Sequence, residues 1–190
     1  MKISNLAEIS SFLDDKKFQK CFLITGNNSY YKSGADKIFE KLLEKKQLYK
    51  YFKKNSIPEF DELKRIITLI EKFNPDLILA IGGGAVIDYA KSASCLSSNV
   101  EKKEIIEGKI KYKKKIRLCA VPTTAGSGAE VTENAVIYLK EIKYSVEDKL
   151  IKPDYYFLIP ELVIDSNFSL KASAGFDAIA QGIESILSVK

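Results

Sequence analysis

Leu77-Ile78-Leu79-Ala80-Ile81-Gly82-Gly83-Gly84-Ala85-Val86-Ile87-Asp88-Tyr89-Ala90-Lys91 is the stretch from which the fold is read. Its opening run, Leu77 to Ile81, is apolar throughout, as expected for a central parallel strand covered on both faces. The glycines that follow carry no Cβ. They let a strand turn sharply into a helix and bring bare backbone N–H groups up to a phosphate. A second segment has the same order. Leu118 to Val121 is a short apolar run, and Pro122-Thr123-Thr124-Ala125-Gly126-Ser127-Gly128-Ala129-Glu130-Val131-Thr132 places glycines and small hydroxyls directly after it. Either loop alone could be a plain tight turn. Two in one domain imply a single nucleotide held from two sides.

Working outward, Cys21-Phe22-Leu23-Ile24 reads as a buried strand ending in a turn at Thr25-Gly26-Asn27-Asn28. Ser33 is expected to head a capping box with Asp36, followed by Ile38, Phe39, Leu42 and Leu43 at helical spacing. A second helix is expected after Pro58, with Leu63, Ile66, Ile67 and Ile70 on one face, and a third from the triple glycine to about Ser97. Asn134–Leu139 and Lys143–Val146 alternate like a hairpin. Strands alternating with helices predict an α/β fold with an open, mostly parallel, Rossmann-like sheet. Toward the end, Phe176, Ile179, Ala180, Ile183, Ile186 and Leu187 form one apolar helical stripe, with Asp177, Gln181, Glu184 and Ser188 on another face. A stripe without a packing partner is expected to open a second, helical domain that these residues do not contain. It also leaves a homodimer open.

Composition narrows the class. The chain has 190 residues, 46% of them apolar, enough for one domain with a sizeable core. No apolar run approaches the roughly 20 residues that span a bilayer, and Met1-Lys2-Ile3-Ser4-Asn5 lacks the features of a signal peptide. Cys21, Cys95 and Cys119 are scattered in apolar surroundings, as buried thiols of a cytoplasmic protein are. The net charge is +5, carried almost wholly by lysine, with Arg65 and Arg117 the only arginines. Nucleic-acid binders favour arginine forks with interleaved aromatics, so the run Lys109 to Lys115 is read as a solvated loop and no nucleic-acid or membrane partner is expected. There is no histidine. That excludes a Ser-His-Asp triad, a histidine base and a histidine-rich metal site within these residues.

The Gly82–Lys91 run, the Pro122–Thr132 run and Gly175-Phe176-Asp177-Ala178-Ile179-Ala180-Gln181, in that order, resemble the iron-containing (group III) alcohol dehydrogenase family, whose superfamily includes the dehydroquinate synthases and glycerol dehydrogenases. The resemblance covers the first half of a family member. It implies a nucleotide-binding α/β domain over residues 1–168, with 169–190 starting an all-helical metal and substrate domain. It also implies hydride transfer between NADP or NAD and a small aldehyde or alcohol. Thr25-Gly26, Ser29-Tyr30, Ser33-Gly34-Ala35, Ala135 to Tyr138, Lys143-Tyr144-Ser145 and Gln181 to Ser185 look like the phosphonoacetaldehyde reductase branch, whose product is 2-hydroxyethylphosphonate. A dehydroquinate synthase-like lyase and an inactive nucleotide-binding fragment are the alternatives.

The resemblance assigns roles by position. Gly82, Gly83 and Gly84 would hold a pyrophosphate, with Ala85 where the family usually has serine. Thr123, Thr124 and Ser127 would offer hydroxyls to cofactor amide or ribose groups, and Lys143 would reach the ribose, an ordinary exposed strand lysine being the alternative. Asp88 would stand near the nicotinamide end, with Lys91 as its catalytic companion. A helical ion pair is the bland reading of those two. Gly26 stands where NAD-preferring members often carry aspartate. Gly26, Asn27, Asn28 and Ser29 offer no negative charge to repel a 2′-phosphate, so NADPH is expected to be preferred. Asp177 and Gln181 match two of four family metal ligands, for Fe or Zn. A glutamine amide is a poorer ligand than the family's histidine.

Overall fold

A computed structural model describes residues 2–3, 6–14 and 18–188. The expectation for the extreme N-terminus, Met1 to Asn5, falls largely outside them. The chain runs β1 (Lys2–Ile3), α1 (Leu6–Asp14), β2 (Lys20–Gly26), α2 (Asn27–Lys32), α3 (Ala35–Leu42), β3 (Gln47–Lys53), α4 (Phe60–Phe73), β4 (Leu77–Gly82) and α5 (Gly84–Cys95). It continues through α6 (Lys102–Ile106), β5 (Arg117–Pro122), β6 (Asn134–Leu139), β7 (Ile142–Glu147), a 3-10 turn (Lys149–Ile151), β8 (Tyr155–Phe157), α7 (Glu161–Ile164) and α8 (Phe168–Leu187).

Six strands form one sheet in the order β1-β8-β5-β4-β2-β3, every neighbouring pair parallel. After β2 the chain steps outward to β3. It then crosses back to β4 and proceeds the other way to β5. The order therefore reverses between β2 and β4, the place where open α/β sheets leave a crevice beyond their carboxyl ends. β6 and β7 form the expected separate antiparallel hairpin.

The strands are apolar along their whole length because both faces are covered. Phe22, Ile24, Ile78, Ala80, Leu118 and Ala120 pack under α4, α5 and the hairpin, against Leu63, Ile67, Val86, Ala90 and Ile137. Cys21, Leu23, Leu77, Leu79, Ile81, Cys119 and Val121 pack on the opposite side, against Ile9 and Leu13 of α1, Phe39 of α3 and Leu162 of α7. All three cysteines are buried and free. In the basic run Lys114 pairs with Asp154 at 3.1 Å and Lys115 with Glu71 at 2.9 Å, so part of its charge is engaged within the fold.

Several boundaries differ from the sequence reading. Gly26-Asn27-Asn28 is not a free turn: Gly26 is the N-cap of α2. Ser33 does not head a capping box. It is the C-cap of α2, and the next helix starts behind Gly34, in the left-handed region at φ 75°. α5 ends at Cys95, with Leu96 already extended. α8 has no buried residue, and Phe176 and Ile186 are 73% and 83% exposed. No helix among the described residues is long and apolar enough to cross a membrane.

Candidate functional site

The site is built at the carboxyl ends of β2, β4 and β5, where three strand-to-loop junctions converge. At β4, Gly82 packs so tightly that a Cβ there would lie 2.5 Å from Val86 Cγ2. Only glycine lets the first turn of α5 fold back onto the strand end. Gly83 is the N-cap, and Gly84 and Ala85 open the helix. Their N–H groups belong to the helix start, which has no intrahelical acceptors and carries the positive end of the dipole.

The second loop lies against the first. The Thr123 N–H donates to the Gly82 carbonyl at 3.0 Å. A Cβ on Gly83 would stand 3.3 Å from Thr124 Oγ1, and one on Gly84 would stand 3.1 Å from Ser127 Oγ. Thr123, Thr124 and Ser127 are thereby assembled with Gly82, Gly83, Gly84 and Ala85 around one backbone surface. The β2 end is held by Thr25, whose buried hydroxyl donates to the Ile81 carbonyl at 2.6 Å. Gly26 follows, close enough that a Cβ would meet Ser29 Oγ at 2.6 Å. Asn27 and Asn28 are exposed on the first turn of α2. Beside this corner opens a cleft of about 540 Å³ lined by Ser29, Lys32, Ser33, Thr123, Asp165 and Asn167, among others.

Lys91 is placed differently from the expectation. It is fully buried beneath the second loop, and its ammonium donates to the Ala129 carbonyl and to Thr132 Oγ1, both at 2.8 Å. The geometry makes it a brace for that loop instead of a group facing a substrate. Burial pushes its pKa down to about 8, with Asp88 and Glu130 opposing. Asp88 is half-buried toward the hairpin. Burial pushes its carboxyl up to about 6, while Lys91, the Val136 N–H and Lys143 pull against that rise. Lys143 itself is exposed on β7. It is a neighbour of Asp88.

Asp177 and Gln181 are both exposed on α8. They share a helix face, one and two turns past Ala174, the α8 residue that meets Gly126 of the second loop. No group of three or more histidine, cysteine, aspartate or glutamate side chains arranged for a metal ion exists among the described residues. Two oxygen donors do not make a closed metal site.

Sequence reasoning missed a buried anchor behind the site. Glu62 accepts from the Lys54 N–H (2.6 Å), the Asn55 N–H (3.1 Å), Tyr51 (3.1 Å) and Tyr89 (2.8 Å). Burial by itself would raise its pKa, but these four donors outweigh it and hold the carboxyl below its usual value. The only signal was an acidic residue beside the apolar face of an amphipathic helix, which ordinarily means solvent.

The residues present fit a dinucleotide. Side chains are missing where they would block a phosphate, helix-start N–H groups are present, and hydroxyls rim the loop pair. The family model for iron-containing alcohol dehydrogenases matches residues 2–160. The NADPH-dependent butanol dehydrogenase of Clostridium saccharobutylicum is 31% identical over 184 residues, covering 93% of this chain and 47% of that protein. The 4-hydroxybutyrate dehydrogenase of Clostridium kluyveri is 30% identical, covering 99% of this chain and 52% of the relative. A crystal structure of sulfoacetaldehyde reductase from Bifidobacterium kashiwanohense in complex with NAD+ superposes with a TM-score of 0.85 at 22% identity, over 97% of this chain and 50% of that one. The chain thus spans about half the length of these relatives. With paired glycine loops at the sheet's reversal point and a family match over most of its length, the chain belongs to the iron-containing alcohol dehydrogenase family.

Proposed function

We propose that this chain is the cofactor-binding half of an NAD(P)-dependent alcohol dehydrogenase acting as a reductase of small aldehydes. The observation that carries the reading is the abutment of Gly83 on Thr124 and Gly84 on Ser127 at the reversal of strand order. When bound, a reduced nicotinamide would supply hydride to the aldehyde carbon. The chain's own part is to seat the pyrophosphate at the start of α5, flank it with Thr123, Thr124 and Ser127, and hold that loop from below through Lys91. Residues 1–168 form the nucleotide domain in this reading, and 169–190 begin a helical domain that carries Asp177 and Gln181 toward a metal and substrate.

NADPH is the preferred cofactor in this proposal. The β2 end presents Gly26, Asn27, Asn28 and Ser29 with no carboxylate, and one relative of similar sequence is NADPH-dependent. The substrate proposed within the aldehyde class is phosphonoacetaldehyde, on the residues that look like that branch, including Gln181 in place of a ligand histidine. Fluorescence titration of the chain with NADPH and NADH tests the cofactor reading: saturable binding, tighter for NADPH, is expected, and Gly26→Asp should reverse the order. A clear NADH preference of the unaltered chain would sink it. The substrate is tested by NADPH oxidation with phosphonoacetaldehyde against butyraldehyde, in a polypeptide carrying these residues together with a helical half. Faster turnover of butyraldehyde would remove the phosphonate reading.

A further inference from the structure

Lys53 ends β3 directly alongside Gly26, its register partner at the end of β2. In dinucleotide-binding sheets the adenosine ribose is read beside the strand that follows the first β-α unit. An acidic residue there takes the 2′-hydroxyl, and a basic one accommodates a 2′-phosphate. In this chain the glycine-rich turn is that of β4–α5, and the place beside it is taken by β2, which ends at Gly26, with β3 as the outer neighbour. The carboxyl end of β3 carries lysine.

The Lys53 stem runs past Gly26: Lys53 Cε is 3.9 Å from where a Gly26 Cβ would sit, a place that Ser29 Oγ already crowds at 2.6 Å. The ammonium donates to the Asn55 carbonyl at 2.6 Å and the Ser56 carbonyl at 3.3 Å. An ammonium has three donors, so one is left for a ligand. The carboxylate that acts on it, Glu62, is already taken up by four donors from Lys54, Asn55, Tyr51 and Tyr89. Burial holds the Lys53 pKa below the ordinary lysine value, with Glu62 acting against it. A half-buried cation beside a carboxylate already committed to other donors is a favourable place for a phosphate dianion.

We propose that Lys53 is a specificity-determining residue that recognises the 2′-phosphate of an NADP-type dinucleotide, beside Gly26, where the chain carries no carboxylate. This rests on reading the β2–β4 reversal as a dinucleotide site. The Gly26 argument concerns the absence of a repelling charge. Lys53 adds a positive recognition element on the neighbouring strand.

The test is equilibrium binding of NADPH and NADH to the full chain and to Lys53→Met and Lys53→Arg, with competition by 2′-AMP and 5′-AMP. The methionine variant is expected to lose about tenfold or more in NADPH affinity, as loss of one charge-assisted phosphate contact does. It should keep NADH affinity within about twofold, inside the scatter of a contact not made. Arginine should restore NADPH binding, which separates recognition from a folding defect, and 2′-AMP should lose its advantage over 5′-AMP only in the methionine variant. Equal weakening of NADPH and NADH, or none, overturns the role of Lys53 while leaving the dinucleotide site standing. An unaltered chain that binds neither nucleotide overturns both.

Discussion

Gly84 and Ser127 stand so close that a β-carbon on the glycine would come within 3.1 Å of the serine hydroxyl. The two loops therefore share one surface whose depth is set by missing side chains. Gly84→Ala adds a methyl group to that surface with little room to relax. It is expected to weaken nucleotide binding about tenfold or more, since a misfit on the ligand face is paid in affinity. Gly82→Ala meets Val86 at 2.5 Å and should instead cost about 1–3 kcal/mol of stability, as overpacking does. Urea unfolding and nucleotide titration of both variants separate the two effects, and identical profiles would refute the distinction.

Lys91→Met should loosen the second loop. The Ala129 carbonyl and Thr132 hydroxyl lose their donor, while the methionine stem still fills the space. Nucleotide affinity is expected to fall more than thermal stability, because burial holds the lysine pKa down to about 8 and the charged amine is itself a burden at neutral pH. The sign follows from linkage. The native chain releases this proton more readily than the unfolded chain, so the wild type gains stability as pH rises from about 8 toward 10.5. The variant should lack that rise. Thermal melts across that range check it.

Asp88→Asn should flatten the opposite slope. With the native carboxyl pushed up to about 6 from 3.8, the native state holds its proton longer than the unfolded chain. Stability therefore falls as pH rises through this window, by at most about 3 kcal/mol. Asparagine keeps an acceptor for the Val136 N–H and has nothing to ionise. A variant whose stability still declines between pH 4 and 6 would show that Asp88 is not the cause.

Glu62→Gln should cost about 1–3 kcal/mol, because an amide NH₂ replaces one acceptor among four converging donors. The carboxyl is held below its usual value, so its contribution is present above pH 4.5 and is lost as pH falls through the lower native pKa. Comparing acid unfolding of the variant with that of the wild type reads this directly.

The central architecture was legible because β2, β4 and β5 are buried on both faces, which leaves unbroken apolar runs that need no partner to be recognised. Gln47–Lys53 has no such run. It lies at the sheet edge, where polar residues are tolerated, so β3 stayed hidden, and Lys53 with it. Asn27, Asn28 and Ser29 carry turn chemistry, yet Gly26 converts the same residues into a helix start, a choice made by the packing of Tyr30 and Ala35 below. The glycine loops announced themselves through composition alone. Lys91 did not reveal its bracing role, since nothing local shows that Ala129 and Thr132 fold over it.

One contact has a mechanical meaning. A Cβ on Gly126 would lie 2.8 Å from the Ala174 carbonyl, so the second loop touches α8 backbone to backbone with no rotatable side chain between them. α8 is 20 residues long, about 30 Å, and lies exposed beyond that point. The helix is a lever and Gly126 its fulcrum. Asp177 and Gln181 lie one and two turns past Ala174 on this same element, so a tilt of the helix would bear directly on the loop carrying Thr123, Thr124 and Ser127, with no side chain in between to yield.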